Sequence, residues 1–191
     1  MCGTLMEWAN PTTEPMFRAT VKKADKRANV DRFLGFAVWL LRAFAEINFV
    51  AKWYHNYVRP DHIMWVKSNH IIFPKIFGFY LAFQMKNPDS NPGNLIYTSE
   101  YHSPELKTKA ANYKFDSEYR EEAWALGKTL QAILKTNQGV VEMEHTMIKS
   151  LEAILTSMTA DDISKRISTK DAYLKAFAIK ADTKEPRKFI I

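Results

Sequence analysis

The segment that decides the fold is residues 33–51, which read FLGFAVWLLRAFAEINFVA. It contains no proline, and its strongly polar residues are Arg42, Glu46 and Asn48. A run of this length is longer than an ordinary strand and favours a helix. We therefore take it as the centre of one long apolar helix.

The ends of that helix follow from the flanking residues. Asn29 or Asp31 is a suitable N-cap, because its side chain can accept a hydrogen bond from a backbone N–H group of the first turn. No proline follows until Pro60, where a helix must stop or bend. The sequence thus predicts a helix over 29–58.

The length of 33–51 also raises the question of a membrane, because about 20 apolar residues cross a bilayer. Its apolar side chains favour insertion by about 3 to 6 kcal/mol in total, whereas Arg42 and Glu46 cost about 2.5 to 3.5 kcal/mol each. These two residues are four apart and can pair on one face. Two readings stay open: a helix inserted within a larger complex, with its ion pair toward protein, and the core helix of a soluble fold.

A second apolar and aromatic stretch, 61–85, is interrupted by Pro74. We expect two helical pieces with a kink or break near Phe73. The whole region 29–85 is then a helical unit that contacts lipid or a partner, flanked by the aromatic and basic residues typical of a membrane interface. The predicted interface consists of Phe33, Trp39, Arg42, Glu46, Trp53, Tyr57, Trp65 and Phe77.

The rest of the chain divides by composition. Residues 1–28 are predicted to form an extended basic arm, and the turn-rich, polar residues 86–115 a linker. Helical periodicity returns over 116–181 and predicts a helical hairpin followed by short helices, and 182–191 form a tail. The hairpin closes on a seam of Met147, Leu151, Ile154 and Met158.

Two capping-box patterns open the short terminal helices: Thr159 to Asp162 and Ser168 to Asp171. The predicted fold class is therefore all-α, with a long apolar helix, a broken aromatic helical segment, a polar linker, a C-terminal helical hairpin and short terminal helices.

Composition limits the class of protein. Of 191 residues, 47% are apolar and 25% charged, which excludes a disordered tail and a fully embedded membrane protein. The 13% aromatic residues require a large core, a partner surface or a membrane interface. A net charge of +6 favours an anionic partner such as lipid, RNA or an acidic subunit. The single cysteine, Cys2, rules out an internal disulfide.

Candidate chemical sites are few. Glu142 and His145 have the Glu-x-x-His spacing of di-iron bundles, but the second such motif is missing, so a solvated face is the expected interpretation. His55, His62 and His70 would share one helix face only without the proline between them, and we expect interface or carbonyl contacts instead. No phosphate loop or nucleophile motif is present. We predict no enzymatic activity, no cofactor and no metal.

These observations lead to one functional expectation and one alternative. We expect a non-catalytic accessory or scaffold subunit of a membrane-bound multi-subunit complex, with an organellar energy-transducing complex as its most specific form. Its partners would be other protein subunits and anionic lipid, in a membrane such as the mitochondrial inner membrane. The alternative is a cytoplasmic helical protein that coats single-stranded nucleic acid, because basic and aromatic residues alternate over 52–80.

Overall fold

The computed structural model describes residues 9–10, 26–68, 71–85, 100–108 and 113–181. Helices dominate this part of the chain, which confirms the prediction of a mostly helical protein. A π-helical turn, Glu46–Val50, continues the first helix. In chain order the α-helices are α1 (Lys26–Ala45), α2 (Pro104–Lys107), α3 (Arg120–Thr136), α4 (Thr146–Met158) and α5 (Thr169–Ala181).

Short strands form two small antiparallel sheets within the described residues. The first sheet has the order β1-β3-β4, with β1 at Ala9–Asn10, β3 at Ile63–Ser68 and β4 at Ile71–Ile76. In the second sheet, β2 (Trp53–Tyr54) pairs with β5 (Phe83–Gln84). The register of the β3–β4 hairpin places Ile63 opposite Ile76 and Ser68 opposite Ile71.

This hairpin corrects the helical prediction for 61–85. β-branched residues such as Ile63, Val66 and Ile71 were the missed signal, because they favour a pleated, half-buried surface. Pro74 does not kink a helix; it lies in β4, the edge strand of its sheet, where a missing N–H is tolerated. The all-α class was thus too narrow, and the chain is mostly α with short sheets.

Helix α1 packs antiparallel to α5. Asn48, just beyond α1, meets Thr169 at one end, and Gly35 lies beside Lys180 at the other. Helix α1 also contacts α4, which packs in turn against α3 and α5. Burial of each large apolar side chain stabilises such a core by about 1.5 to 3 kcal/mol. Fully buried side chains at these contacts include Phe33, Leu41, Phe44, Leu126, Leu130, Ile148 and Leu151.

Helices α3 and α4 occupy the segment predicted as a hairpin. Asn137 ends α3, and its side-chain Nδ2 donates to the carbonyl of Ile133 at 2.8 Å. The two helices approach closely at Gly127, where an added Cβ would lie 2.9 Å from the Cβ of Met158. Because no other residue lacks a Cβ, this glycine sets the distance between the helices.

The two capping-box patterns behave differently. At the start of α5, the backbone N–H of Asp171 donates to Ser168 Oγ at 3.1 Å, as the pattern predicts. Thr159 does not cap the other turn, since its hydroxyl donates back to the carbonyl of Leu155 at 3.0 Å. Asp162 caps that turn instead, by accepting the N–H of Ser164.

The predicted limits of the first helix, 29–58, were wrong at both ends. Asn29 lies inside α1 rather than at its cap, is buried, and donates Nδ2 to the carbonyl of Val140 at 2.9 Å. The helical backbone ends at Val50, because the N–H groups of His55 and Asn56 donate to the carboxylate of Glu122 instead of to helical carbonyls.

Most of the predicted arm 1–28 and the whole tail 182–191 lie outside the described residues. The predicted linker is described at 100–108 and 113–115. In that part Ser103, Leu106 and Phe115 are buried, so these residues belong to the folded body.

The membrane question concerns Lys26–Val50, 25 residues with a mean hydropathy of 1.6 in their most apolar window. This segment is long and apolar enough to cross a bilayer by length and composition. Protein already buries 56% of that window, as in the core helix of a soluble protein. The ion pair predicted between Arg42 and Glu46 forms at 2.9 Å, with both side chains exposed.

Candidate functional site

The least regular backbone in the described chain follows helix α1. The π-helical turn Glu46–Val50 is closed by a hydrogen bond from the N–H of Ala51 to the carbonyl of Glu46 at 3.0 Å. The next residue, Lys52, has a φ of 60°, in the left-handed region that favours glycine. Such conformations cost about 1 kcal/mol or more and cluster at functional sites. The residues around this turn are therefore candidates for a functional site.

On its inner side, Asn48 joins three elements. The side chain is fully buried, and its Nδ2 donates to the carbonyl of Trp53 and to Glu122 Oε2, both at 2.8 Å. Its Oδ1 accepts a hydrogen bond from Thr169 Oγ1 at 2.8 Å. Asn48 thus holds the turn, the start of α3 and the start of α5 in one fixed arrangement.

The carboxylate of Glu122 lies buried beneath the turn. It accepts the backbone N–H groups of His55 and Asn56 at 2.9 and 3.0 Å. Burial raises the pKa of Glu122 to about 7, although hydrogen bonds from His55, Asn48 and Asn56 oppose the shift. This carboxylate therefore fixes the backbone of the segment that follows the π turn.

A second carboxylate, that of Glu121, extends the same network. It accepts hydrogen bonds from the hydroxyls of Tyr54 (2.8 Å) and Tyr113, and from the N–H of Asp116 (2.9 Å). Burial raises its pKa, against the effect of these hydrogen bonds. A small cavity of about 10 Å³ between the two glutamates and His102 is large enough for one water at most. The geometry provides anchoring rather than room for a substrate.

On the outer side, the turn presents aromatic and cationic groups. The Nζ atoms of Lys52 and Lys170 lie 6.0 and 5.7 Å from the ring centroid of Phe49. Val50 is 78% exposed and Trp53 40% exposed. We call these five residues the basic–aromatic turn.

Helix α5 continues this surface with apolar residues. Leu174 is 54% exposed and Phe177 is 50% exposed, and they follow Lys170 at spacings of four and three along one helix face. The antiparallel pairing places the exposed Trp39 of α1 at the level of Phe177. We call Trp39, Leu174 and Phe177 the apolar row. We refer to the turn and the row together as the mixed apolar and basic surface.

The structure separates the predicted interface residues into three groups. Phe33 is fully buried in the core, so it cannot belong to an interface of the folded chain. Tyr57 and Phe77 are partly exposed, and the side chain of Trp65 lies outside the described part. The remaining four, Trp39, Arg42, Glu46 and Trp53, are exposed on or beside the surface just defined. Of the predicted seam, Leu151, Ile154 and Met158 are buried and Met147 is partly buried.

Two of the histidines considered as ligands, His55 and His62, contact backbone carbonyls. His55 Nε2 lies 2.6 Å from the carbonyl of Phe77, and His62 Nδ1 lies 2.8 Å from that of Tyr57. Burial lowers the pKa of His55 to about 4. His70 lies outside the described residues, and His145 accepts the N–H of Met147 at the start of α4. Within the described ranges, no three His, Cys, Asp or Glu side chains come together as a metal site.

Sequence reasoning missed the polar residues that build this site. It assigned no role to Glu121 or Glu122 and noted Asn48 only as one polar residue in an apolar run. It also missed Arg166, which is buried and pairs with both oxygens of Glu105 at 2.5 and 3.1 Å. The available signal for Glu121 and Glu122 was their place at the start of a strongly periodic helix, but their partners are distant in sequence.

No protein-family model matches the chain, and no curated protein is similar to it in sequence.

Proposed function

We propose that this protein is a non-catalytic scaffold subunit that docks on the surface of an anionic membrane, within a membrane-bound assembly. The observation that supports this most directly is that two exposed residues of the apolar row, Leu174 and Phe177, share one face of α5 with Lys170 of the basic–aromatic turn. Exposed Trp, Phe and Leu beside lysines match the headgroup level of a bilayer, where apolar groups enter the acyl boundary and cations meet phosphates.

Burial of helix α1 favours docking over spanning. Its most apolar residues, such as Phe33, Leu40 and Phe44, are fully enclosed by the other helices. To span a bilayer, α1 would have to leave α4 and α5 and give up that burial. Peripheral attachment keeps the fold intact and uses only side chains that are already exposed.

Charge favours an anionic surface over a second copy of the chain. Lys52 and Lys170 lie on the proposed surface, and Lys175 is exposed on the same helix. A two-fold dimer through this surface would bring together two copies of the same lysine-bearing patch. An anionic membrane instead gains about 1 kcal/mol from each lysine close to it.

Vesicle flotation tests the proposal. The full chain should float with phosphatidylcholine vesicles that contain about a third phosphatidylserine, and bind pure phosphatidylcholine vesicles much more weakly. Phe177→Ser should lower binding about fivefold, because insertion of a half-exposed ring contributes on the order of 1 kcal/mol. Phe79→Ser is the matched control, since Phe79 is 45% exposed but lies outside the proposed surface.

If the chain stays at the bottom of the gradient with both vesicle types, membrane docking is wrong. If Phe79→Ser and Phe177→Ser reduce binding equally, the chain docks through a different surface. Circular dichroism of each variant confirms that the fold is retained.

A second candidate function rests on Phe49 with its two lysines and on the exposed Trp53. Aromatic side chains with adjacent cations are also the elements that bind single-stranded nucleic acid, by base stacking and phosphate contacts. In that case the chain would bind single-stranded RNA at about 50 mM salt and lose affinity steeply as salt rises. Absence of RNA binding at that salt would exclude this function.

A further inference from the structure

We propose that the basic–aromatic turn is a binding site for the phosphate group of one membrane lipid, with Lys52 and Lys170 as its ligands. The inference rests on the proposed membrane docking and assigns one part of that surface a specific role. The lipid class is one with an accessible phosphate, of which phosphatidic acid is the simplest.

The two lysines come from different elements but approach the same ring. Lys52 follows the π turn, whereas Lys170 is the second residue of α5, and both ammonium groups lie about 6 Å from the centre of Phe49. No ion pair of either lysine is found among the described residues. Two ammonium groups gathered on one aromatic ring provide donors and charge for a shared anion.

The nearby carboxylates are already engaged. Glu46 pairs with Arg42 at 2.9 Å, and Asp171 accepts the hydroxyl of Ser168 at 2.9 Å. Each therefore has a local partner other than the two lysines. An arriving phosphate would meet Lys52 and Lys170 without displacing an existing ion pair.

The buried network holds the two lysines in place. Asn48 bonds to Thr169, the residue directly before Lys170, and also to the carbonyl of Trp53, the residue directly after Lys52. A single fully buried side chain thus sets the separation of the two lysine backbones. The left-handed backbone of Lys52 is part of the same arrangement. Thr169 and Asn48 are positioning residues, since neither reaches the surface.

The flanking residues point to a lipid rather than to a free phosphate. Val50 and Trp53 are exposed on either side of Lys52, and the apolar row continues from Lys170 along α5. A soluble phosphate would gain nothing from these apolar side chains. A lipid phosphate places its glycerol and acyl carbons next to them, at the depth where tryptophan is favoured in bilayers.

The test compares phosphatidic acid and phosphatidylserine in phosphatidylcholine vesicles of matched surface charge. The unmodified chain should prefer phosphatidic acid. Lys52→Gln and Lys170→Gln should each weaken binding to those vesicles by about fivefold or more, the factor expected for one lysine near an anionic membrane. Lys175→Gln, an equal change of charge on the exposed side of α5, should weaken it by about twofold at most.

Thr169→Val removes the hydrogen bond to Asn48 with little change of shape, and Thr169→Ser retains the hydroxyl. The valine variant should lower the ratio of affinities for the two lipids, and the serine variant should preserve it. A purely structural defect would lower both affinities together and leave the ratio unchanged. Competition by glycerol 3-phosphate tests whether the site binds a soluble phosphate compound instead of a lipid. We expect glycerol 3-phosphate to displace the protein from vesicles only at a far higher concentration than that of the lipid.

The phosphate site is overturned if the chain floats with vesicles but all three lysine variants weaken binding equally, while membrane docking itself then stands. It is also overturned if glycerol 3-phosphate competes as well as the lipid does. If no vesicle type is bound, docking and site fail together. If the chain binds single-stranded RNA through the same lysines but binds no vesicles, the nucleic-acid function replaces both membrane docking and the lipid phosphate site.

Discussion

At the scale of single residues, Glu122 and His55 affect stability in opposite directions. Folding raises the pKa of Glu122 from 4.5 to about 7, so the folded state holds this proton more tightly and the free energy of unfolding falls as pH rises from 4.5 to 7. Folding lowers the pKa of His55 from 6.5 to about 4, so the free energy of unfolding rises as pH rises from 4 to 6.5. Between pH 4.5 and 6.5 the two contributions nearly cancel.

Single substitutions should reveal each contribution. Relative to the unmodified chain, Glu122→Gln should lose about 3 kcal/mol of unfolding free energy as pH falls from 7 to 4.5, because the opposing contribution of His55 remains. His55→Gln should show the opposite change, losing a similar amount as pH rises from 4 to 6.5. Urea unfolding at a series of pH values measures both. Parallel pH curves for Glu122→Gln and the unmodified chain would contradict this prediction.

Arg166 is the buried cation whose removal should matter most for stability. Its guanidinium pairs with Glu105 and donates to the carbonyls of Ala160 and Arg120. The guanidinium carbon also lies 4.9 Å from the centre of the Trp124 ring. Arg166→Met would leave the Glu105 carboxylate largely buried without its partner, at a cost of about 3 to 5 kcal/mol. Chemical denaturation measures the loss.

The matched control for Arg166→Met is its combination with Glu105→Leu. That double variant removes the orphaned charge and should recover part of the lost unfolding free energy. If the double variant is as unstable as the sum of the two single changes, the ion pair is not what the substitution disrupts.

At the scale of elements, the contact of α3, α4 and α5 depends on the buried side of α4. Leu151 is fully buried there, so Leu151→Asp would place an unpaired carboxylate in the core and should be the most damaging change in this helix. We expect a large fall in melting temperature or loss of folding. Ala153→Asp, on the exposed side of the same helix, controls for helix propensity and charge. Equal effects of the two would mean that the buried side is wrongly assigned.

At the scale of the whole molecule, the proposed membrane docking and the enclosed position of α1 together predict how the protein would leave a membrane. A docked protein keeps its core closed, so alkaline carbonate should release it from native membranes into the supernatant. The same protein should be soluble without detergent when purified. A chain that resists carbonate and needs detergent would instead have α1 in the bilayer, and the α1–α5 packing would not hold in the membrane-bound form.

Some helices of this protein could be predicted from the sequence, whereas the strands could not. Periodicity was enough to place α3 and α4, since an apolar stripe at helical spacing has one stable solution, burial against another helix. The start of α5 followed instead from the capping box at Ser168 and Asp171. Periodicity failed for 61–85, where apolar residues are continuous and a buried strand and a buried helix look alike. There the β-branched content of Ile63 to Ile76 carried more information than Pro74 did.

Within the candidate site, the sequence alone determined that Trp39, Arg42, Glu46 and Trp53 belong to a basic and aromatic region near a long apolar helix. Tertiary structure decided the rest. Whether that helix meets lipid or protein depends on what covers it, and its inner face is covered by α4 and α5. The end of the helix and the approach of Lys52 and Lys170 to the ring of Phe49 depend on Asn48 and Glu122, whose partners are up to 121 residues away along the chain. Hydrogen bonds over such separations leave no local periodicity, because they are fixed by packing and not by the spacing of neighbouring residues.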